Sequence, residues 1–221
     1  MASPANSAGV LAGAIRYALG SLTCVKPGFL ARPTPCATWD LATLLQHVND
    51  SLAALHEGIA TGSVSFTGSV SVTGSVSLAP AAETADDPGG LVATFRDRAS
   101  HLLAASATAR NQDGCIAIAD RRLAGRIVTA VGAVEIAVHG WDVAEACRCR
   151  RPIPPALATG ILKIIPLVVT DATRDARFAA PVTVSPRAGP GDRLIALLGR
   201  SPPTPSATQS GQSAGIRGEV T

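Results

Sequence analysis

Leu41-Ala42-Thr43-Leu44-Leu45-Gln46-His47-Val48-Asn49-Asp50-Ser51-Leu52-Ala53-Ala54-Leu55-His56-Glu57-Gly58-Ile59 is the stretch that decides the fold. Leu41, Leu44, Leu45, Val48, Leu52, Leu55 and Ile59 fall within one arc of about 100° on a helical wheel, so one face of this helix belongs in a core. Upstream, Ser3-Pro4 reads as an N-cap followed by a proline at the first helical position. The helix it opens runs to about residue 23 and carries Val10, Leu11, Ile15, Leu19 and Leu22. Residues 24–37, rich in Pro and Gly, form a loop, and the second helix starts near Thr38 or Asp40. A third helix is expected over 90–109 after Asp86-Asp87-Pro88, and a fourth over 121–146. A further helical segment follows Pro154-Pro155 and is interrupted or ended at Pro166. Four long amphipathic helices with few strand signals predict an all-α, up-and-down four-helix bundle with a short C-terminal extension.

Between the second and third helices stand three copies of one hexapeptide, Thr-Gly-Ser-Val-Ser followed by Phe66, Val72 or Leu78, over residues 61–78. Three short copies are too few for a solenoid with its caps. Alternating Val with Gly and Ser could form a short ribbon, but the reading favoured is a flexible insertion at a helix connection, since loop entropy grows slowly with length. Residues 1–177 are accordingly expected to form the bundle, 178–200 a short segment packed on it, and 201–221 a disordered tail.

Composition narrows the function. The chain has 221 residues, 47% hydrophobic and only 3% aromatic, so its core is built from aliphatic side chains and alanine. A net charge of +3 is dispersed, and Arg148, Arg150 and Arg151 form the only tight basic cluster, which reads as a solvated helix end. No nucleic-acid footprint results. Neither a signal peptide nor a bilayer-length uncharged apolar run is visible, which points to the cytoplasm and away from a membrane. Cys24, Cys36, Cys115, Cys147 and Cys149 are odd in number and lack CxxC spacing, so reduced cysteines are expected in place of a disulfide framework or a thiolate zinc site.

The chemistry concentrates at Glu135-Ile136-Ala137-Val138-His139-Gly140-Trp141-Asp142. Glu135 and His139, four apart, share one face of the fourth helix. They lie inside the arc held by Val128, Val131, Val134 and Val138, with Asp142 beside them, while Ala133, Ala137 and Ala144 hold the other side. A carboxylate and an imidazole turned into a bundle need a partner, since an unpaired buried charge is costly. A buried Glu–His ion pair would satisfy them, and so would a divalent metal. A metal requires a third ligand. Among His47, His56, His101 and His139, His47 fits best: it borders the apolar arc of its helix among small residues, whereas His56 lies opposite and His101 sits among polar neighbours. A His/Glu/His set leaves coordination positions open, the catalytic pattern for zinc, with iron, nickel or manganese also compatible. Against a dication one carboxylate leaves a net positive charge, which favours a thiolate or an anionic substrate. Asp50 and Asp142, each three residues after a histidine, are placed to orient the ligand rings through their other nitrogens.

These stretches carry a resemblance. Ala37-Thr38-Trp39-Asp40-Leu41 through His47, and Val134 to Ala144 with its Glu-x-x-x-His-Gly-Trp-Asp pattern, resemble the DinB-like superfamily, in particular the mycothiol-dependent maleylpyruvate isomerase N-terminal-domain group. Phe178 to Val182 and Asp192 to Arg200 are similar to the C-terminal segment of its actinobacterial metal-binding members. The resemblance implies a DinB-like four-helix bundle in which His47, Glu135 and His139 hold a divalent metal, zinc above others. It also implies that the metal activates mycothiol, a small thiol cosubstrate, for isomerisation of an electrophilic or anionic substrate or for transfer to it. Many members are known only as metal-binding proteins, so the alternative is a non-catalytic bundle with a sensing, storage or stress role. The hexapeptide insertion, and Ala37-Thr38 where relatives have Pro-Gly, depart from the pattern. Oligomeric state is open, and a homodimer is compatible with the reading.

Overall fold

The computed structural model describes residues 7–36, 38–65, 87–108, 114–169, 174 and 178–203. Among the described residues the elements are α1 (Ser7–Leu22), α2 (Leu41–Thr61), β1 (Ser63–Val64), α3 (Pro88–Thr108), β2 (Cys115–Ile118), β3 (Arg121–Ala124), α4 (Gly125–Ala146), α5 (Pro155–Val168) and α6 (Pro190–Leu197). The all-α class and the four-helix bundle stand. Asp40 caps α2 by accepting a 2.9 Å hydrogen bond from the Thr43 amide, which satisfies one of the free N–H groups of the first turn. All seven apolar residues of the α2 arc are buried. Asp87 does the same for α3, accepting from Gly89 and Gly90 at 2.8 and 2.9 Å. The expected helix start at Ser3-Pro4 and the expected tail beyond residue 203 lie outside the described residues.

Chain direction differs from the up-and-down expectation. Asn49 donates to the Leu91 carbonyl, and the His56 ring lies 6.0 Å from that of His101. Positions on α2 and α3 therefore advance together, and the two helices run parallel. Likewise a Cβ on Gly140 of α4 would meet the Ala18 backbone of α1 at 3.0 Å, and the residues just beyond both helices join. The order is up-down-down-up. Residues 62–87 form a connection long enough to return the chain to the start of a parallel helix, which antiparallel neighbours with short loops do not need.

A second difference concerns cysteine. Cys24, just past α1, and Cys149, just past α4, form a disulfide with their Cα atoms 6.2 Å apart and a sequence separation of 125. Parallel packing of α1 and α4 creates the pair, so nothing in local spacing announces it. The expectation of reduced cysteines fails for these two and holds for Cys36, Cys115 and Cys147.

A small sheet of order β1-β2-β3 was also unexpected. β1 pairs parallel to β2 and β2 antiparallel to β3. Arg121 to Ala124 thus belongs to a strand, and the fourth helix begins four residues later than its composition suggests. Those four side chains favour helices, but the pairing across Ala119, at φ 52°, overrides that local preference. Ile116 is 2% exposed and packs with Val64 against Gly58, where a Cβ would come within 3.0 Å of Val64. The first hexapeptide copy supplies the end of α2, the left-handed Gly62 cap and β1. From residue 66 onward the repeat lies outside the described residues.

α4 is buried on nearly every face. Ala133, Ala137 and Ala144, assigned by the wheel to the side away from the valines, are fully buried because α1 packs there. Among the described residues, α4 is the one helix long and apolar enough to cross a membrane, and most of it is enclosed by the bundle.

Candidate metal centre

α4 points Glu135 and His139 toward α2, one turn apart, and α2 points His47 back at them. His47 Nε2 lies 2.7 Å and His139 Nε2 3.1 Å from the same oxygen, Glu135 Oε1. Two imidazole nitrogens from different helices therefore converge on one carboxylate. One ligand atom from each residue falls within 4.8 Å of the others, a spacing that a single ion at about 2.0–2.2 Å from nitrogen and oxygen donors can bridge. His139 is 9% exposed at its side chain, while His47 and Glu135 are 25% and 33% exposed, so the cluster is enclosed at His139 and open at His47 and Glu135.

Behind His139 stands a second layer. Asp142, fully buried, places Oδ2 2.9 Å from His139 Nδ1. Arg200, beyond α6, grips this carboxylate with both arms: Nε donates to Oδ1 and Nη2 to Oδ2, each at 2.7 Å. Cys36 Sγ donates to Asp142 Oδ2 at 3.4 Å, lies 3.9 Å from His139 Nδ1, and accepts from Arg200 Nη2 at 3.5 Å. Cys36, His139 and Asp142 thus form a second ligand-like triad. Its positive charge is already present in the Arg200 guanidinium, so the His47/Glu135/His139 set is the better place for a metal.

Electrostatics follow from these contacts. Burial alone would raise the Glu135 pKa, but the His139 and His47 rings hold the carboxyl well below the usual range. For His139 burial opposes charge; the Glu135 carboxylate and the hydrogen bonds to Asp142, Cys36 and Glu135 outweigh it and hold the ring well above the ordinary histidine value. Asp142 is lowered in spite of its burial, by hydrogen bonds from His139 and Arg200. The fixed Asp142 carboxylate keeps a proton on His139 Nδ1, so Nε2, which faces Glu135, is the nitrogen whose proton a metal would replace.

Of the residues singled out from sequence, the structure brings His47, Glu135, His139 and Asp142 together. It does not place Asp50 there. Asp50 instead accepts a 3.3 Å bond from Arg98 of α3, because three residues beyond His47 the helix has turned toward α3. His56 and His101 face each other away from the centre. Three participants escaped the spacing argument. The Trp39 ring lies against His47 with centroids 4.6 Å apart, and against His139 at 6.1 Å. Cys36 and Arg200 join from 106 and 58 residues away from Asp142. Trp39 and Arg200 stand in stretches that carry the family resemblance, yet no helical period points to either.

Arg200→Gln is expected to free Asp142 to rotate, and so to weaken metal binding about 10–100-fold, the usual cost of losing an outer partner. Competition with a chromogenic chelator measures this, and unchanged affinity would show that Asp142 holds His139 unaided.

No curated protein and no solved structure matches the chain significantly. The family described as the mycothiol maleylpyruvate isomerase N-terminal domain matches residues 14–144. That span includes Cys36, Trp39, His47, Glu135, His139 and Asp142, and stops short of Cys149 and Arg200. Covering more than half of the chain, the match shows that this protein belongs to the mycothiol maleylpyruvate isomerase N-terminal domain family.

Proposed function

We propose that His47, Glu135 and His139 hold one divalent metal ion, zinc, and that the protein is a mycothiol-dependent isomerase or transferase of the cytoplasm acting on a small electrophilic or anionic substrate. The observation that carries this reading is the convergence of two Nε2 atoms on Glu135 Oε1 at 2.7 and 3.1 Å, in a chain of a mycothiol-related family. A bound dication supplies a Lewis acid that lowers the pKa of a coordinated thiol and polarises a carbonyl. The chain's own residues prepare for it. Glu135 contributes the single negative charge of the set, so the loaded centre is net positive and attracts a thiolate or a carboxylate. Asp142, held by Arg200, keeps the proton on His139 Nδ1 and leaves Nε2 to coordinate the metal. Trp39 packs against His47 and restrains that ring. Three ligands leave a coordination position open, as catalytic sites do.

Proton competition gives one test of the metal reading. His139 holds its proton above the ordinary histidine value in the metal-free protein, and a metal at Nε2 must displace it. Affinity is therefore expected to rise with pH from about the ordinary histidine value upward, by up to tenfold per unit for one proton. Calorimetry in buffers of different ionisation enthalpy should show proton release at neutral pH. A flat profile would place the metal elsewhere.

The catalytic reading is tested with the purified protein, mycothiol and a panel of cis-dienoic acids and small electrophiles. Turnover that disappears on chelation and returns with zinc supports it. Metal binding without turnover across the panel would leave the metal site and remove the enzyme.

A further inference from the structure

We infer that a small anion site lies beside the centre, in the cleft of about 230 Å³ lined by Arg32, Pro33, Glu145, Ala146 and Arg148, and that it takes a small carboxylate carrying a hydroxyl or ammonium group. The first observation is the lining. Two arginines and one glutamate give the cleft a net positive charge, with an acceptor among the donors. Arg32 lies 3.2 Å over the Phe29 ring and, among the described residues, its side chain makes one long 3.5 Å bond, to the Ala146 carbonyl, which leaves its forked donors with capacity for a carboxylate. Glu145 disfavours a bare dianion and suits a ligand that also donates a hydrogen bond. The volume admits a molecule of only a few heavy atoms, below the range of drug-sized ligand pockets.

Backbone conformation supplies the second observation. Arg148 has φ +54°. Its amide donates to the Glu145 carbonyl and that of Cys149 to the Ala144 carbonyl, both at 2.9 Å. This hydrogen-bond pattern ends α4 with a left-handed residue, and that position is normally glycine because a Cβ is disfavoured there. The strained residue of the cap is also one that lines the cleft, and nothing in the capping itself requires an arginine. Strained residues held at ligand sites are a recurring arrangement.

Position links the cleft to the rest of the molecule. Ala146 is seven residues past His139 on α4, about 10 Å along the helix. Arg32 and Pro33 open the loop that carries Cys36 and Trp39 to the centre. A carboxylate seated in the cleft would thus lie near the metal ligands without touching them, and the site does not depend on a metal being bound.

Calorimetric titration with serine and with lactate tests this, using wild type, Arg148→Gly, Arg32→Gln and Glu135→Gln, with acetate as the probe lacking a donor group. Wild type is expected to bind serine and lactate, and acetate about tenfold more weakly. Arg148→Gly relieves the left-handed strain, so it should melt no lower than wild type and yet bind at least about tenfold more weakly. Arg32→Gln should lose binding similarly, and Glu135→Gln should keep it. Wild-type affinity in a folded Arg148→Gly protein, or no binding to wild type, overturns the proposal. Loss of binding in Glu135→Gln would place the anion at the metal ligands and overturns it as well.

Discussion

Replacing Cys24 or Cys149 by serine is expected to lower the melting temperature, measured without reductant, by about 10–20 °C. The pair closes a loop of 125 residues, and a cross-link of that span removes loop entropy from the unfolded chain worth about 5 kcal/mol. It also anchors the segment after α4 on α1. Tyr17 donates a 2.6 Å bond to the Arg151 carbonyl, and the Arg151 side chain packs over Gly20. These contacts hold the two helix ends in one arrangement, so the serine variants should still fold while melting earlier. Thiol counting checks the premise directly: three of the five cysteines react in the denatured, unreduced protein and five after reduction. Five reactive thiols before reduction would show the pair to be open.

Glu135→Gln is expected to abolish the stabilisation that metal gives. A ligand at 1,000 times its Kd raises stability by about 4 kcal/mol, or about 8–16 °C in a domain of this size, so wild type should melt that much lower in chelator. The variant keeps the volume of the side chain and removes its charge. That leaves two histidines with no anion between them on the Nε2 side, and removal of a direct ligand should exceed the 10–100-fold cost of losing an outer partner. Its melting temperature is therefore expected to be the same with zinc and with chelator. A pH signature accompanies the change. The Glu135 carboxyl is held low in the folded state, so its contribution exists above the ordinary carboxylate pKa and fades as pH falls through the folded value. Metal-free wild type should lose stability on acidification more steeply than the glutamine variant. Equal zinc-induced shifts in both proteins would remove Glu135 from the ligand set.

Much of this site was legible because helices make local geometry readable. Glu135 and His139 had to share a face whatever the tertiary fold, and the α2 wheel singled out His47 among four histidines. The helices themselves followed from apolar periodicity. What stayed hidden depends on how distant segments meet. Spacing could not show that α1 and α4 run parallel, and so could not pair Cys24 with Cys149. Residues 121–124 looked helical because their strand pairing is set by β2 and not by their own preferences. Asp50 and Asp142 had equal claims as partners of a histidine three residues before. Only the packing decided between them: α3 offers Asp50 an arginine, whereas Asp142 is enclosed with His139, Cys36 and Arg200.

Elemental analysis of the purified wild-type protein beside His47→Ala, Glu135→Gln and His139→Ala, after reconstitution with zinc and removal of excess, tests the central claim most directly. The His47/Glu135/His139 centre predicts one zinc per wild-type chain and almost none in any of the three variants, all of them folded. Wild type without stoichiometric metal, or variants that retain it, would contradict the assignment.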